Sequence, residues 1–149
     1  MITIYTDGSC RNNPGIGGYG IILKYRNYRK EISNGFKKTT NNRMELLAVI
    51  ISLESLKSFN RKIILYSDSK YVVDTIKNWL KIWIKSNFIN KKNMDLWKRF
   101  LKIYKKCNIK VFWIKGHLKN IENIFCDKLA FNSSKSFFLF DDYGYENFT

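Results

Sequence analysis

The stretch ITIYTDG near the amino end alternates apolar and polar positions with the period of a strand, then runs into the turn-rich segment GSCRNNPGIGG, which holds the only proline. GYGIILKY and KEISNGF predict the two arms of a hairpin around Arg26 to Arg29. In TTNNRMELLAVIISLESLKSF the period changes: Met44, Leu47, Ala48 and Ile51 recur at helical spacing behind asparagine caps. RKIILYSD predicts a short apolar strand. SKYVVDTIKNWLKIW predicts a second helix, with Val72, Ile76, Trp79, Leu80 and Trp83 on one stripe. A third helix is predicted from about Met94 to Lys106, with Trp97, Phe100, Leu101 and Tyr104 inward. IKVFWI reads as the last strand, and a last helix follows from about Glu122 to Ser134.

Antiparallel strands followed by alternating helix and strand imply an α/β fold, a mixed sheet with helices on its faces. No internal repeat or interdomain linker interrupts it, so a single domain is expected at 149 residues. Open α/β sheets carry their sites at the carboxyl ends of the parallel strands, which is where chemistry is to be sought.

Asp7 closes the first predicted strand and Asp68 the fourth, each followed by a small residue, Gly8 or Ser69. Taken singly, an aspartate in such a turn is most often a turn or cap residue, and either Ser69 or Asp68 suits the cap of the following helix. Glu45 lies at the edge of the apolar stripe of the first helix, within reach of the sheet, whereas Glu54 falls near the opposite face. Asp127 is flanked by the inward candidates Cys126, Leu129 and Ala130, with Asn123 one turn earlier. A carboxylate at the border of a core stripe commonly just pairs with a lysine. Here only 12 acidic residues stand against 27 basic ones, yet four acids fall where one end of the sheet can collect them. An oxygen-only cluster suits Mg²⁺ or Mn²⁺ and is too hard for zinc. Paired divalent ions about 3.5 to 4 Å apart activate water and stabilise a leaving oxygen in phosphodiester cleavage.

The charge changes the picture of the partner. At +15 the chain favours a polyanion, nucleic acid first, although its Lys, Asn and Ile richness also fits drift in an A+T-rich genome. Between Lys77 and Lys110 there are 11 Lys or Arg and one acid, Asp95, interleaved with Trp79, Trp83 and Trp97. The lysines fit phosphate neutralisation, and the tryptophans fit an aromatic core stripe. No apolar run approaches the roughly 20 residues of a membrane span, and no leader pattern opens the chain, so a soluble cytoplasmic protein is expected. The scattered Cys10, Cys107 and Cys126 suggest reduced thiols.

YTDGSCRNNPGIGGYG, TTNNRMELLAVI, YSDSKYVVDTI and WIKGHLKNIENIFCDKLA together make the chain resemble a bacterial type 1 ribonuclease H, in that family's order and spacing, over nearly everything from Met1 to about Ser134. The resemblance implies a five-stranded mixed sheet flanked by helices, a domain over residues 1–136, and a monomeric enzyme that cleaves the RNA strand of RNA/DNA hybrids. It implies that Asp7, Glu45, Asp68 and Asp127 bind metal, two ions with substrate bound, and that His117 assists proton transfer or product departure. It further implies hybrid contacts from Cys10, Asn13, Asn41 and Asn42, with Lys38 and Thr40 placed for a DNA-strand phosphate. The basic protrusion, Lys91 and Lys92 included, would grip the DNA strand. Reading RNA requires contacts to 2′-hydroxyls, which short polar side chains make well. A structural role for Asn41 and Asn42 is helix capping.

The chain departs from that pattern in places. KSNFINKKNMDLW is a shortened protrusion, Asn12 stands where a glycine is usual, Ile124 replaces an acid after Asn123, and Lys119 and Asn120 alter the histidine loop. Asn tolerates positive φ, so the loop around Asn12 is expected to keep its shape. Residues 137–149, SFFLFDDYGYENFT with the preceding serine, form an aromatic and acidic tail beyond the family's usual end: either a flap on the domain or a docking segment. Two rival functions remain: a hybrid-binding protein without catalysis, and a nuclease for other structures such as DNA junctions.

Overall fold

The computed structural model describes residues 1–115 and 120–148, with side chains as far as Tyr145. Strands β1 (Ile2–Cys10), β2 (Gly15–Tyr25) and β3 (Tyr28–Thr39) form an antiparallel meander. Helix α1 (Asn41–Glu54) then crosses the sheet to β4 (Lys62–Ser67), which pairs parallel to β1. Helix α2 (Lys70–Asp74), a π-helical segment (Thr75–Trp79), α3 (Leu80–Lys85) and α4 (Met94–Tyr104) lead to β5 (Asn108–Trp113), parallel to β4. Helix α5 (Ile121–Ser134) and a short α6 (Tyr143–Phe148) complete the chain. The sheet has five strands in the order β3-β2-β1-β4-β5, the mixed arrangement expected from the sequence. No helix of the described residues is long and apolar enough to cross a membrane.

Side chains alternate across the sheet, so its two faces take different partners. Ile2, Ile4, Tyr19, Ile21, Leu23, Ile63 and Leu65 pack with α1 and α4 into the main core. The other face receives α5 across β1, β2 and β3. Its approach is close: a Cβ on Gly20 would lie 2.7 Å from Leu129 Cβ, a contact only glycine avoids.

Three expectations are corrected here. Helix α1 was expected to bury one stripe, but Met44 through Ile50 are all buried, because it lies between the sheet and α4 and so has no broad solvent face. Its cap is Thr40, whose hydroxyl accepts from the Arg43 N–H at 3.2 Å, and not Asn41 or Asn42. Trp79 was expected in the core stripe, yet it is 50% exposed beside the buried Leu80. The π-helical segment over Thr75–Trp79 takes an extra residue into its turn and rotates the positions after it. Asn12 does adopt positive φ, at 58°.

The tail is joined to the domain. Phe140 forms a parallel bridge with Phe36 on the outer edge of β3. Two residues on, Asp142 is buried and accepts from Arg43 Nε at 2.7 Å, Arg43 Nη2 at 2.9 Å and Thr39 Oγ1 at 2.7 Å. Arg43, itself 2% exposed, also forms a two-pronged pair with Asp95 at 2.8 and 2.7 Å. One guanidinium therefore joins α1, the first turn of α4 and the tail, in the forked geometry that arginine suits.

Removing one partner of a buried ion pair leaves charge uncompensated, at a cost of about 3 kcal/mol where a second partner remains. Asp142→Ala should lower unfolding stability by about that amount in urea titration, and Asp142→Asn by less.

Candidate active site

The parallel ladder between β1 and β4 ends at the pair Thr6 and Ser67. The next residues, Asp7 and Asp68, therefore leave the ladder side by side, although β1 itself continues to Cys10 along β2. The expectation that Asp7 ends its strand is thus corrected: the parallel pairing ends there, not the strand. Ser69 caps α2 by accepting from the Val72 N–H at 3.2 Å, which leaves the Asp68 carboxylate out of the cap.

Glu45 arrives from α1. A Cβ on Gly8 would lie 2.6 Å from the Met44 carbonyl carbon, so glycine is what lets β1 and α1 approach this closely. The Gly8 N–H then donates both to Asp7 Oδ1, at 2.9 Å, and to Glu45 Oε1. As a result, carboxylate oxygens of Asp7, Glu45 and Asp68 lie within 4.8 Å of one another. Asp127, on α5, lines the same cavity of about 400 Å³ together with Asn41, Asn42, Lys70 and Tyr71. All four predicted carboxylates face one cavity, with Asp127 outside the tight trio.

Burial raises the pKa of Asp7 to about 8, with Asp68 and Asp127 adding repulsion that Glu45's hydrogen bond partly offsets. Burial also raises Glu45 well above the ordinary carboxyl range, reinforced by the charge of Asp7. Among the described residues, no lysine or arginine forms an ion pair with Asp7, Glu45, Asp68 or Asp127. Among the described residues the protein thus collects hard oxygen donors that no ion pair neutralises, with no nitrogen or sulfur in the trio. That donor set fits a divalent cation such as Mg²⁺ or Mn²⁺.

The remaining predicted residues separate into groups. Asn13 Oδ1 accepts from the Asn41 N–H at 3.0 Å, coupling the loop after β1 to the start of α1. Asn13, Thr40, Asn42, Lys91 and Lys92 line a second, larger groove of about 980 Å³. Cys10 turns its thiol to the backbone oxygens of Thr39 and Gly15, at 3.3 and 3.5 Å, and so fastens the loop. Lys38 is exposed on β3 and lines neither cavity. His117 lies outside the described residues.

Two residues of this region were missed from sequence. Tyr71 lines the carboxylate cavity, and its hydroxyl accepts from Trp97 Nε1 at 2.8 Å and Asn93 Nδ2 at 3.0 Å. Asn93, with φ of 61° at the start of α4, lines the larger groove. The available signals were the place of Tyr71 three residues after Asp68 and an asparagine before a helix in a basic segment.

Comparison with known proteins gives a consistent picture. A family model described as RNase H matches residues 1–135. A ribonuclease H of Campylobacter jejuni subsp. jejuni serotype O:23/36 (strain 81-176) is 52% identical over 129 residues, covering 87% of this chain and 88% of its own length. A ribonuclease H of Trichodesmium erythraeum (strain IMS101) is 49% identical over 151 residues, covering 97% of this chain and 96% of its own. Among solved structures, LC9-RNase H1, a type 1 RNase H with the type 2 active-site motif, matches with a TM-score of 0.83 at 25% identity, over 90% of this chain and 72% of that one. LC11-RNase H1 in complex with RNA/DNA hybrid shares the fold with a TM-score of 0.69 at 24% identity, over 91% of this chain and 97% of that one.

The raised carboxyl pKa fixes the sign of a pH dependence. Because Asp7 holds its proton to about pH 8 when folded and releases it near the ordinary 3.8 when unfolded, the metal-free protein binds more protons folded than unfolded across that window. Its stability should therefore fall as pH rises from about 4 to 8, and Asp7→Asn should flatten that fall. At pH 8 without metal, the variant is expected to melt at least about 3 °C above the wild type by calorimetry.

Proposed function

Because the chain belongs to the RNase H family, we propose that it hydrolyses the RNA strand of RNA/DNA hybrids as a divalent-metal-dependent endonuclease, leaving 3′-hydroxyl and 5′-phosphate ends. The observation that carries this is the convergence of Asp7, Glu45 and Asp68 within 4.8 Å in a protein of net charge +15. A site so rich in negative charge needs cations to meet a phosphate, and a surface so rich in positive charge draws a polyanion.

In this reading Asp7, Glu45, Asp68 and Asp127 hold Mg²⁺, with Mn²⁺ as substitute and two ions when substrate is bound. Such ions supply activation of a water and neutralisation of the departing 3′ oxygen. The Gly8 N–H holds the Glu45 carboxylate against β1, so it is oriented before substrate arrives. Asp68, left free of the cap by Ser69, can turn toward the reacting phosphate. His117 takes part in proton transfer to the departing oxygen, the task of a group titrating near neutrality.

The polar edges of the carboxylate cavity and of the larger groove beside it supply the choice of RNA. Asn13, Asn41 and Asn42 offer short amides toward 2′-hydroxyls, and Cys10 keeps their loop in place. Lys38, Thr40, Lys91 and Lys92 take phosphates of the DNA strand, and the protein works as a cytoplasmic monomer.

Asp68→Asn should reduce cleavage of a labelled RNA/DNA hybrid with Mg²⁺ by at least about a thousandfold while hybrid binding changes little. Cutting at the wild-type rate by this variant would refute the site assignment, and wild-type protein that binds hybrids yet cuts nothing with either metal would favour a binding role. His117→Ala should lower kcat by about ten- to a hundredfold with hybrid affinity nearly unchanged, measured by single-turnover cleavage.

A further inference from the structure

The face of α5 that carries Asp127 does not end at the carboxylate cavity. Phe131 follows at four residues and Ser134 at seven, on one side of the helix, and Lys135 is the C-cap directly after Ser134. At about 1.5 Å of rise per residue, Phe131 stands about 6 Å and Lys135 about 12 Å beyond Asp127. Arg11 comes from the end of β1, next to Cys10, and meets this stripe. Its Nη2 donates to Ser134 Oγ at 3.2 Å, and its Cζ lies 5.6 Å from the centroid of the Phe131 ring. Lys135 Nζ lies 4.2 Å from the same centroid.

One aromatic ring thus gathers two cations of like sign. Among the described residues neither forms an ion pair with a carboxylate. Ser134 occupies one edge of the Arg11 guanidinium and leaves its other N–H groups available. Arg11, Phe131 and Lys135 are all exposed. Cation–π contact restrains both side chains before any ligand binds, and a phosphate between them would relieve their mutual repulsion.

We propose that Arg11 and Lys135, seated on Phe131, bind the sugar-phosphate backbone of the RNA strand roughly two to four nucleotides from the cleaved bond, given a rise of about 3.4 Å per nucleotide. The proposal rests on the ribonuclease H reading, since the strand passing the carboxylates is the one continuing along α5. It adds a grip on the cleaved strand, distinct from the basic protrusion around Lys91 and Lys92.

The test is the affinity of the full chain for a labelled hybrid at several salt concentrations, measured in an Asp68→Asn background so that the RNA stays intact. Arg11→Gln and Lys135→Gln should each weaken binding about three- to tenfold and lower the salt slope by about one, whereas Arg11→Lys should keep the slope. With Asp68 restored, the double variant should raise KM for the hybrid while kcat stays within about twofold. With two shortened hybrids, each lacking RNA on one side of the cleaved bond, the double-variant effect should vanish for one and persist for the other. Unchanged salt slopes, or an equal effect with both shortened hybrids, would overturn the proposal. Wild-type protein that neither binds nor cuts the hybrid would instead overturn the ribonuclease reading beneath it.

Discussion

Repulsion between carboxylates is the interaction around which the rest of the molecule is arranged. At 4.8 Å, each ionised pair among Asp7, Glu45 and Asp68 repels by about 3 kcal/mol at an effective dielectric constant of 20. Among the described residues no ion pair cancels that repulsion, so the fold holds the groups together chiefly through its backbone. It does so by covalent placement on stiff elements: a strand paired on both sides, a helix buried on both sides, and a residue directly after a parallel ladder. Gly8 completes the arrangement by removing the side chain that would separate β1 from α1. Burial and repulsion together raise the pKa of Asp7 to about 8 and push that of Glu45 in the same direction, which lowers the charge the metal-free chain must gather at its own site.

Much of this was legible in the sequence because it rests on local rules. Period-two and helical patterns placed the elements, and the rule for open α/β sheets pointed to the carboxyl ends of β1 and β4. The scarcity of acids made the four well-placed ones conspicuous. What escaped was decided by packing between distant segments. The exposure of Trp79 depends on a π-turn that ordinary helical counting does not contain. The all-round burial of α1 depends on α4 lying over it. Asp142 gave no sign of its partner, because Arg43 lies 99 residues away in the chain. The capping role went to Thr40 since its hydroxyl, and not the asparagine amides after it, reaches the Arg43 N–H.

Arg43 and Glu45 lie two residues apart on α1 and serve different ends of the molecule. Glu45 faces the sheet and the carboxylate cavity, while Arg43 faces α4 and the tail. The larger groove lies on the Arg43 side, lined by Thr40, Asn42 and Arg43 and, from a later part of the chain, by Lys91, Lys92 and Asn93. Tyr71 then links it back to the carboxylate cavity through Asn93 and Trp97. The charged groove and the chemistry are therefore parts of one hydrogen-bonded frame.

The bridge between Phe140 and Phe36 also bears on how the chain behaves when that contact is absent. Strand β3 is a sheet edge, and an open edge invites pairing with another molecule. Near the hairpin it is guarded by the exposed charges of Arg29, Lys30 and Glu31. Farther along, the Gly35 carbonyl and the Lys37 N–H are taken by Phe140, at 2.8 and 2.9 Å. That cover comes from a segment about 105 residues further along the chain, so the stretch of edge around Gly35 is open in any state in which that segment is undocked.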